Sequence, residues 1–251
     1  MTKSELNQIV QEQLALDLGC EPALLDPPDN VVVEWQDKPG RRKYRNNTPV
    51  LEIAIWQGKI AAACGAELLP WASGYFPRKS AQWLFQPARY REIDAALAPL
   101  GYEIGDAHKF YLPDLTLPPV NPLQPVCWYE GEALEQFRGD SRWEEALAFQ
   151  PLYPDMLAVA ALDGAGQPVA MAGASRDGAR FWQIGIIVQP EHRGRELAAN
   201  LTALLKDELL RREIVPFYGT AESHIISQNV ARGAGFYPAF AYLYAKPKGT
   251  N

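Results

Sequence analysis

The chain has 251 residues, 47% of them hydrophobic and 22% charged, which is ordinary for a globular protein with room for a sizeable core. Its formal net charge of -6 argues against non-specific nucleic-acid binding, which needs a basic face to displace counterions. No apolar run approaches the ~18 residues of a membrane span, and the N-terminus is polar and amphipathic, so a cytoplasmic protein is expected. Three cysteines (Cys20, Cys64, Cys127) lack close pairs and metal-ligand spacing, so they read as reduced, buried thiols, and no metal site is expected.

In chain order, Leu6, Ile9, Val10 and Leu14 fall on one face of an opening helix. Short β-rich runs follow at 31–35 and 50–55, the second turning through Trp56-Gln57-Gly58-Lys59 into 60–64 as a hairpin. The basic run Arg41-Arg42-Lys43-Tyr44-Arg45 reads as a solvated loop. A helix over 88–98 is stopped by Pro99, with Gly101 beyond. This half is mixed α and β, with no glycine-rich phosphate loop.

Prolines crowd the stretch 113–125, PDLTLPPVNPLQP, where fixed φ and missing donors exclude a helix or a central strand. The expected division is therefore a domain at 1–112, a linker at 113–126 and a second domain at 127–251.

In the second half, 130–137 and 141–149 read as helical, and 156–162 and 168–175 as strands joined by Asp163-Gly164-Ala165-Gly166. Phe181 to Val188 is a nearly continuous apolar strand, expected to be buried on both faces. A helix starting near Arg195 carries Leu197, Leu201, Leu204, Leu205 and Leu209 on one stripe, with Lys206, Asp207, Arg211 and Arg212 outward. A strand at 214–218, a short helix at 227–234 and a strand at 239–245 close the chain.

The chemistry concentrates at Val188-Gln189-Pro190-Glu191-His192-Arg193-Gly194-Arg195-Glu196-Leu197-Ala198. A strand ends there and a helix begins, so unpaired backbone N–H groups and the helix dipole favour an anion. Gly194 permits a tight turn, and Arg193 and Arg195 suit phosphate oxygens. On these residues alone, a pyrophosphate site and an ordinary turn with two solvated arginines both remain open.

Strand, Pro-Glu-His-Arg-Gly-Arg-x-Leu-Ala and helix together resemble the acetyl-CoA signature of the GNAT N-acetyltransferase superfamily. A second match follows downstream, from His224 to Ser227 and at Ala234-Gly235-Phe236-Tyr237-Pro238. The resemblance implies an α/β (α+β) fold: a GNAT-type mixed, mostly antiparallel sheet flanked by helices. It also implies an acetyl group moved from acetyl-CoA to a primary amine of a small molecule or peptide. CoA would be held by Arg193, Gly194, Arg195, Glu196, Leu197, Ala198 and Ser227. A backbone N–H of Ile186, Ile187 or Val188 would meet the developing oxyanion.

Glu222 and His224 are the proton-transfer candidates, with capping of the following helix as the other reading of His224. Ser227 reads as a helix-start residue rather than a nucleophile. Three positions depart from the signature. Glu196 stands where glycine is usual, and its carboxylate either turns outward or meets the helix's own N–H groups. His224 replaces an asparagine. Ala231 replaces a tyrosine that, in many members, protonates the departing thiolate. These departures keep open an alternative, a non-catalytic CoA-binding or regulatory, protein-interaction module on the same fold.

Gly40 to Tyr44, Trp83-Leu84-Phe85 and Tyr111 to Asp114 are similar to a bacterial subgroup of two-part GNAT proteins. In that subgroup the first half can be a degenerate GNAT-like domain. Acetyl-CoA and an amine acceptor are the expected partners, without nucleic acid or membrane, for a monomer or homodimer.

Overall fold

The computed structural model describes residues 1–26, 28–42 and 49–249. Of the basic run, Lys43, Tyr44 and Arg45 lie outside the described residues. The rest form two compact units, each assembled from separate stretches of chain. The first comprises Met1–Val10, Tyr111–Thr220 and His224–Pro238; the second comprises Gln11–Phe110, Ala221–Ser223 and Ala239–Asn251. The chain thus changes unit at 110/111. It also changes inside its first helix and near its C-terminus.

The first helix, α1 (Lys3–Leu18), buries Leu6, Val10, Leu14 and Leu18, at i, i+4 steps along one stripe. Each such side chain contributes roughly 1.5–3 kcal/mol on burial.

In the second unit, β1 (Val31–Glu34), β2 (Leu51–Trp56) and β3 (Lys59–Cys64) are joined in the order β1-β3-β2, followed by β10 (Phe236–Pro247) and β4 (Tyr102–Pro113). The expected hairpin is present: Trp56 pairs with Lys59, and Gln57 and Gly58 both take positive φ (49° and 81°), as a two-residue hairpin turn requires. Helix α2 (Leu69–Tyr75) and helix α3 (Pro87–Leu97) supply Ala72, Ile93 and Leu97 to the core beneath Leu51, Ile53, Ile60 and Ala62. A short 3-10 turn, Ala98–Leu100, follows α3 and ends at left-handed Gly101.

In the first unit the strand order is β5-β6-β7-β8-β9, with β5 (Val126–Glu130), β6 (Asp155–Leu162), β7 (Pro168–Ser175), β8 (Phe181–Val188) and β9 (Val215–Ala221). Neighbours run antiparallel except β8 and β9, which are parallel. One face of this sheet is covered by α4 (Leu197–Arg211), whose Leu197, Leu201, Leu205 and Leu209 pack on Val159, Ala170, Ala172 and Ile184. The other face is covered by the segment 131–149, through Leu134, Phe137, Trp143 and Leu147. Helix α5 (Ile225–Gly233) leads into β10.

Four expectations need correction. Arg41 and Arg42 are not solvated: their side chains are buried and paired with Glu52 and Asp17, at 2.7 and 2.6 Å. The segments 130–137 and 141–149 are not α-helices: Gly131–Phe137 and Ser141–Trp143 are 3-10 turns. Gly131 and Gly139 at positive φ and a buried Trp143 bend this stretch tightly onto the sheet. Lys206 does not face outward; it is 2% exposed, with its Nζ 3.5 Å from Asp207 and tucked beside Gly235 and Leu117. Finally, β8 is not buried throughout, because Gly185 to Val188 are half-exposed.

The proline-rich segment runs along α4 rather than away from it. Asn200 Oδ1 accepts from the Leu123 N–H and its Nδ2 donates to the Asn121 carbonyl; Asp207 accepts from the Val120 N–H; and the Asp114 N–H donates to the Gly235 carbonyl. Proline-fixed φ angles leave few backbone donors here, and those of Val120 and Leu123 are taken by α4 side chains.

Candidate active site

The geometry of the site begins with an interrupted strand pair. β8 and β9 are in register only at Phe181↔Val215, Trp182↔Pro216 and Gln183↔Phe217. Beyond those three steps β8 continues to pair with β7, from Ile184↔Ala174 to Val188↔Ala170, but no longer with β9. Two parallel strands joined at their N-terminal ends and parted at their C-terminal ends enclose a V. Ile184 to Val188 line one arm and Tyr218 to Thr220 the other. The half-exposure of Gly185 to Val188 follows from that parting. Gln189 N–H donates to the Val169 carbonyl, so by strand alternation Ile187 also faces β7, and of the three candidates only Ile186 and Val188 turn their backbone N–H groups toward the opening.

From the open end of β8 the chain makes a 3-10 turn, Pro190–His192, and enters α4. Gly194 and Glu196 both take left-handed backbone, φ 77° and 59°. The glycine does so freely, whereas for Glu196 the conformation costs about 1 kcal/mol or more. Glu196 thus holds a backbone conformation that a glycine would adopt at lower cost. Glu196 is exposed and makes no capping hydrogen bond, so its carboxylate leaves the α4 N–H groups open. The first intrahelical bond is from Asn200 N–H to the Glu196 carbonyl, so the N–H groups of Leu197 and Ala198 precede the helical ladder. Arg193 and Arg195 are exposed and held to the turn by backbone oxygens, Nε of Arg193 at 3.2 Å from Val188 and an Nη of Arg195 at 3.5 Å from Glu191.

His224 sits at the N-cap position of α5, exposed, and its side chain makes no capping bond; its carbonyl accepts from the Gln228 N–H. Ser227 Oγ lies 2.9 Å from the hydroxyl of Tyr218, a contact the sequence reading missed. The only sequence signal was a tyrosine at the end of a strand, nine positions before the serine. Glu222 belongs with Ala221–Ser223 to the second unit, where its charge, after burial, helps push the Tyr90 hydroxyl up to about 12. The structure thus gathers 184–188, 193–198, His224, Ser227 and Tyr218 in one unit and places Glu222 in the other.

A family model described as the acetyltransferase (GNAT) family matches residues 123–236. Over those residues the chain is similar to the GNAT acetyltransferase family. The matched stretch contains the parted strands, the turn at 193–198 and α5. No curated protein matches the chain.

Among solved structures, a GNAT-family protein from Novosphingobium aromaticivorans is 20% identical, with a TM-score of 0.45 over 60% of this chain and 69% of its own. A GNAT-family acetyltransferase from Colwellia psychrerythraea is 13% identical, with a TM-score of 0.44 and 61% of each chain covered. A tandem GNAT protein from the clavulanic acid biosynthesis pathway is 18% identical, with a TM-score of 0.45 over 62% of this chain and 58% of its own. For the second and third, less than two thirds of the relative's length is spanned. Among the described residues no helix is long and apolar enough to cross a membrane.

Proposed function

We propose that the chain transfers an acetyl group from acetyl-CoA to a primary amine by direct attack. The observation that carries this reading is the V between β8 and β9, with the α4 N-terminus at the end of its β8 arm. A thioester laid in the V would meet the backbone N–H groups of Ile186 and Val188, which suit the oxyanion of a tetrahedral intermediate. The pyrophosphate would lie on the N–H groups of Leu197 and Ala198 and be flanked by Arg193 and Arg195. Holding amine and thioester together supplies much of the rate, and His224 would take the amine proton.

The test is a calorimetric and thermal titration of the full chain with acetyl-CoA, alongside the double variant Arg193→Ala, Arg195→Ala. At a hundred times its Kd, ligand stabilises a one-site binder by about 2.7 kcal/mol. Losing two charge-assisted hydrogen-bond donors should weaken binding by ~1.5–3 kcal/mol or more. A panel of amines followed by release of CoA thiol then identifies the acceptor class. Saturable binding without turnover on any amine would favour the non-catalytic reading, and no binding up to millimolar ligand would exclude both.

A further inference from the structure

Strand β5 ends the sheet of the first unit, and among the described residues β6 is the only strand paired with it. An open strand edge invites a further strand, and natural sheets guard it with charges, prolines or bulges. The β5–β6 register runs without a bulge from Val126↔Ala161 to Glu130↔Leu157, and the Leu162 N–H donates to the Pro125 carbonyl. Alternation then points the backbone groups of Cys127 and Tyr129 at β6, and those of Val126, Trp128 and Glu130 at the open edge. At the centre of that edge stands Trp128, 41% exposed, where a guarded edge would carry a charge. Its cross-strand neighbour, Val159, packs beneath α4, so the indole lies on the α4 face of the sheet. The proline-rich segment runs along that same helix, with Leu117, Val120 and Leu123 exposed. From Thr116 to Tyr129 no side chain is charged, although 22% of the residues in the whole chain are.

We propose that this edge is an interface between two copies of the chain, with β5 paired antiparallel to its own copy about a twofold axis at Trp128. The strand selects both the occupant and the register. With the axis at Trp128, each outward-facing residue meets another: Trp128 faces the second copy's Trp128, and Val126 faces the second copy's Glu130. An axis at Glu130 would set two carboxylates opposite each other. One at Val126 would set Glu130 opposite Pro122, which has no N–H to donate. Glu130 is also held by Arg212 at 2.8 Å, so its charge is compensated within its own copy. Each copy carries a net charge of -6, which opposes close approach except where the surface is uncharged, as it is from Thr116 to Tyr129. Both indoles lie on one face and pack across the axis, and tryptophan is among the residues that most often dominate an interface. β5 lies three strands from β8, so the interface stands apart from the V and from the acyl-CoA function proposed for it.

Sedimentation velocity of the full chain across the micromolar range reads self-association directly, with Trp128→Glu and Trp128→Lys run alone and mixed. The wild type should show a monomer–dimer equilibrium. Each variant alone should associate roughly tenfold more weakly or worse, because like charges meet at the axis and a central tryptophan is lost. An equimolar mixture of the two should recover the dimer, because only a residue that faces its own counterpart meets the opposite charge there. Trp128 is exposed, and circular dichroism checks that each variant is folded. Amide exchange in the wild type needs no variant: at Val126, Trp128 and Glu130 it should slow as concentration rises, and at Cys127 and Tyr129, already bonded to β6, it should change less. A wild type that stays monomeric throughout overturns the proposal, as do dimers that survive in both variants. A mixture no more associated than its components, or exchange independent of concentration, overturns the twofold pairing at Trp128.

Discussion

Gly173 and Gly185 face each other across the β7–β8 pair, and the backbone of residues 145–146 lies directly over both. A Cβ at Gly173 would run into the Ala146 carbonyl oxygen, and one at Gly185 into that of Glu145. The obstacle is backbone, which has no rotamer by which to retreat. The glycine pair therefore lets the tightly bent 131–149 segment close on the sheet and shapes the β8 arm of the V.

Gly173→Ala and Gly185→Ala should each destabilise the protein by about 1–3 kcal/mol, the range of overpacking a filled interior. Urea unfolding reads this directly. A loss below half a kilocalorie at both positions would mean that the segment slides aside.

Glu196 separates two effects at one position, left-handed backbone and a negative charge near the proposed pyrophosphate site. Glu196→Gly should stabilise the fold by roughly 0.5–1 kcal/mol, the αL cost less the entropy of an added glycine. It should also tighten CoA, whereas Glu196→Gln should tighten CoA without the gain in stability. For an exposed charge the affinity change is ~0.2–1 kcal/mol, at most about fivefold. Equal thermal stability of the glycine and glutamine variants would count against backbone strain.

In the second unit, Glu52 accepts from Arg41 at 2.7 Å and from the Tyr242 hydroxyl at 2.9 Å, beside the buried pair Asp17–Arg42 at 2.6 Å. Burial outweighs Arg41 and Tyr242, with Asp17 adding to it, and pushes the Glu52 carboxyl from an ordinary 4.5 up to about 7. A carboxyl raised on folding holds its proton more tightly in the native state. Its contribution is therefore fully present below about pH 4.5 and is lost as pH rises through about 7. At 1.36 kcal/mol per pH unit this is on the order of 3 kcal/mol. Unfolding free energies of wild type and Glu52→Gln, compared from pH 4.5 to 8, should diverge in the wild type's disfavour as pH rises. Parallel curves would mean that Glu52 stays ionised beside Arg41.

Asn200 binds the proline-rich segment through two hydrogen bonds, to Leu123 N and Asn121 O. Asn200→Ala should cost about 1–2 kcal/mol in global stability. It should also speed limited proteolysis between residues 113 and 125, detected by mass spectrometry of the fragments. Unchanged cleavage would show that packing, not these bonds, holds the segment down.

Much of this protein was legible in its sequence, because local physics dictates it. Alternation and apolar runs gave β7 and β8 their observed bounds, and Gln57-Gly58 specified a hairpin turn. Leucine spacing marked the buried stripe of α4, and the motif around Arg193 to Ala198 marked the strand-to-helix junction. Tertiary structure decided what depends on residues far apart in the chain. Lys206 is buried because Gly235 and Leu117 come to it, and no helical pattern encodes them. The segment 131–149 closes on the sheet at 145–146 because two distant glycines, Gly173 and Gly185, leave room for its backbone. The parting of β8 from β9 after three pairs exposes a strand whose composition reads as fully buried. Tyr218 meets Ser227 because a strand and the following helix turn the same face inward, a relation fixed by three-dimensional packing and by neither residue's neighbours in sequence.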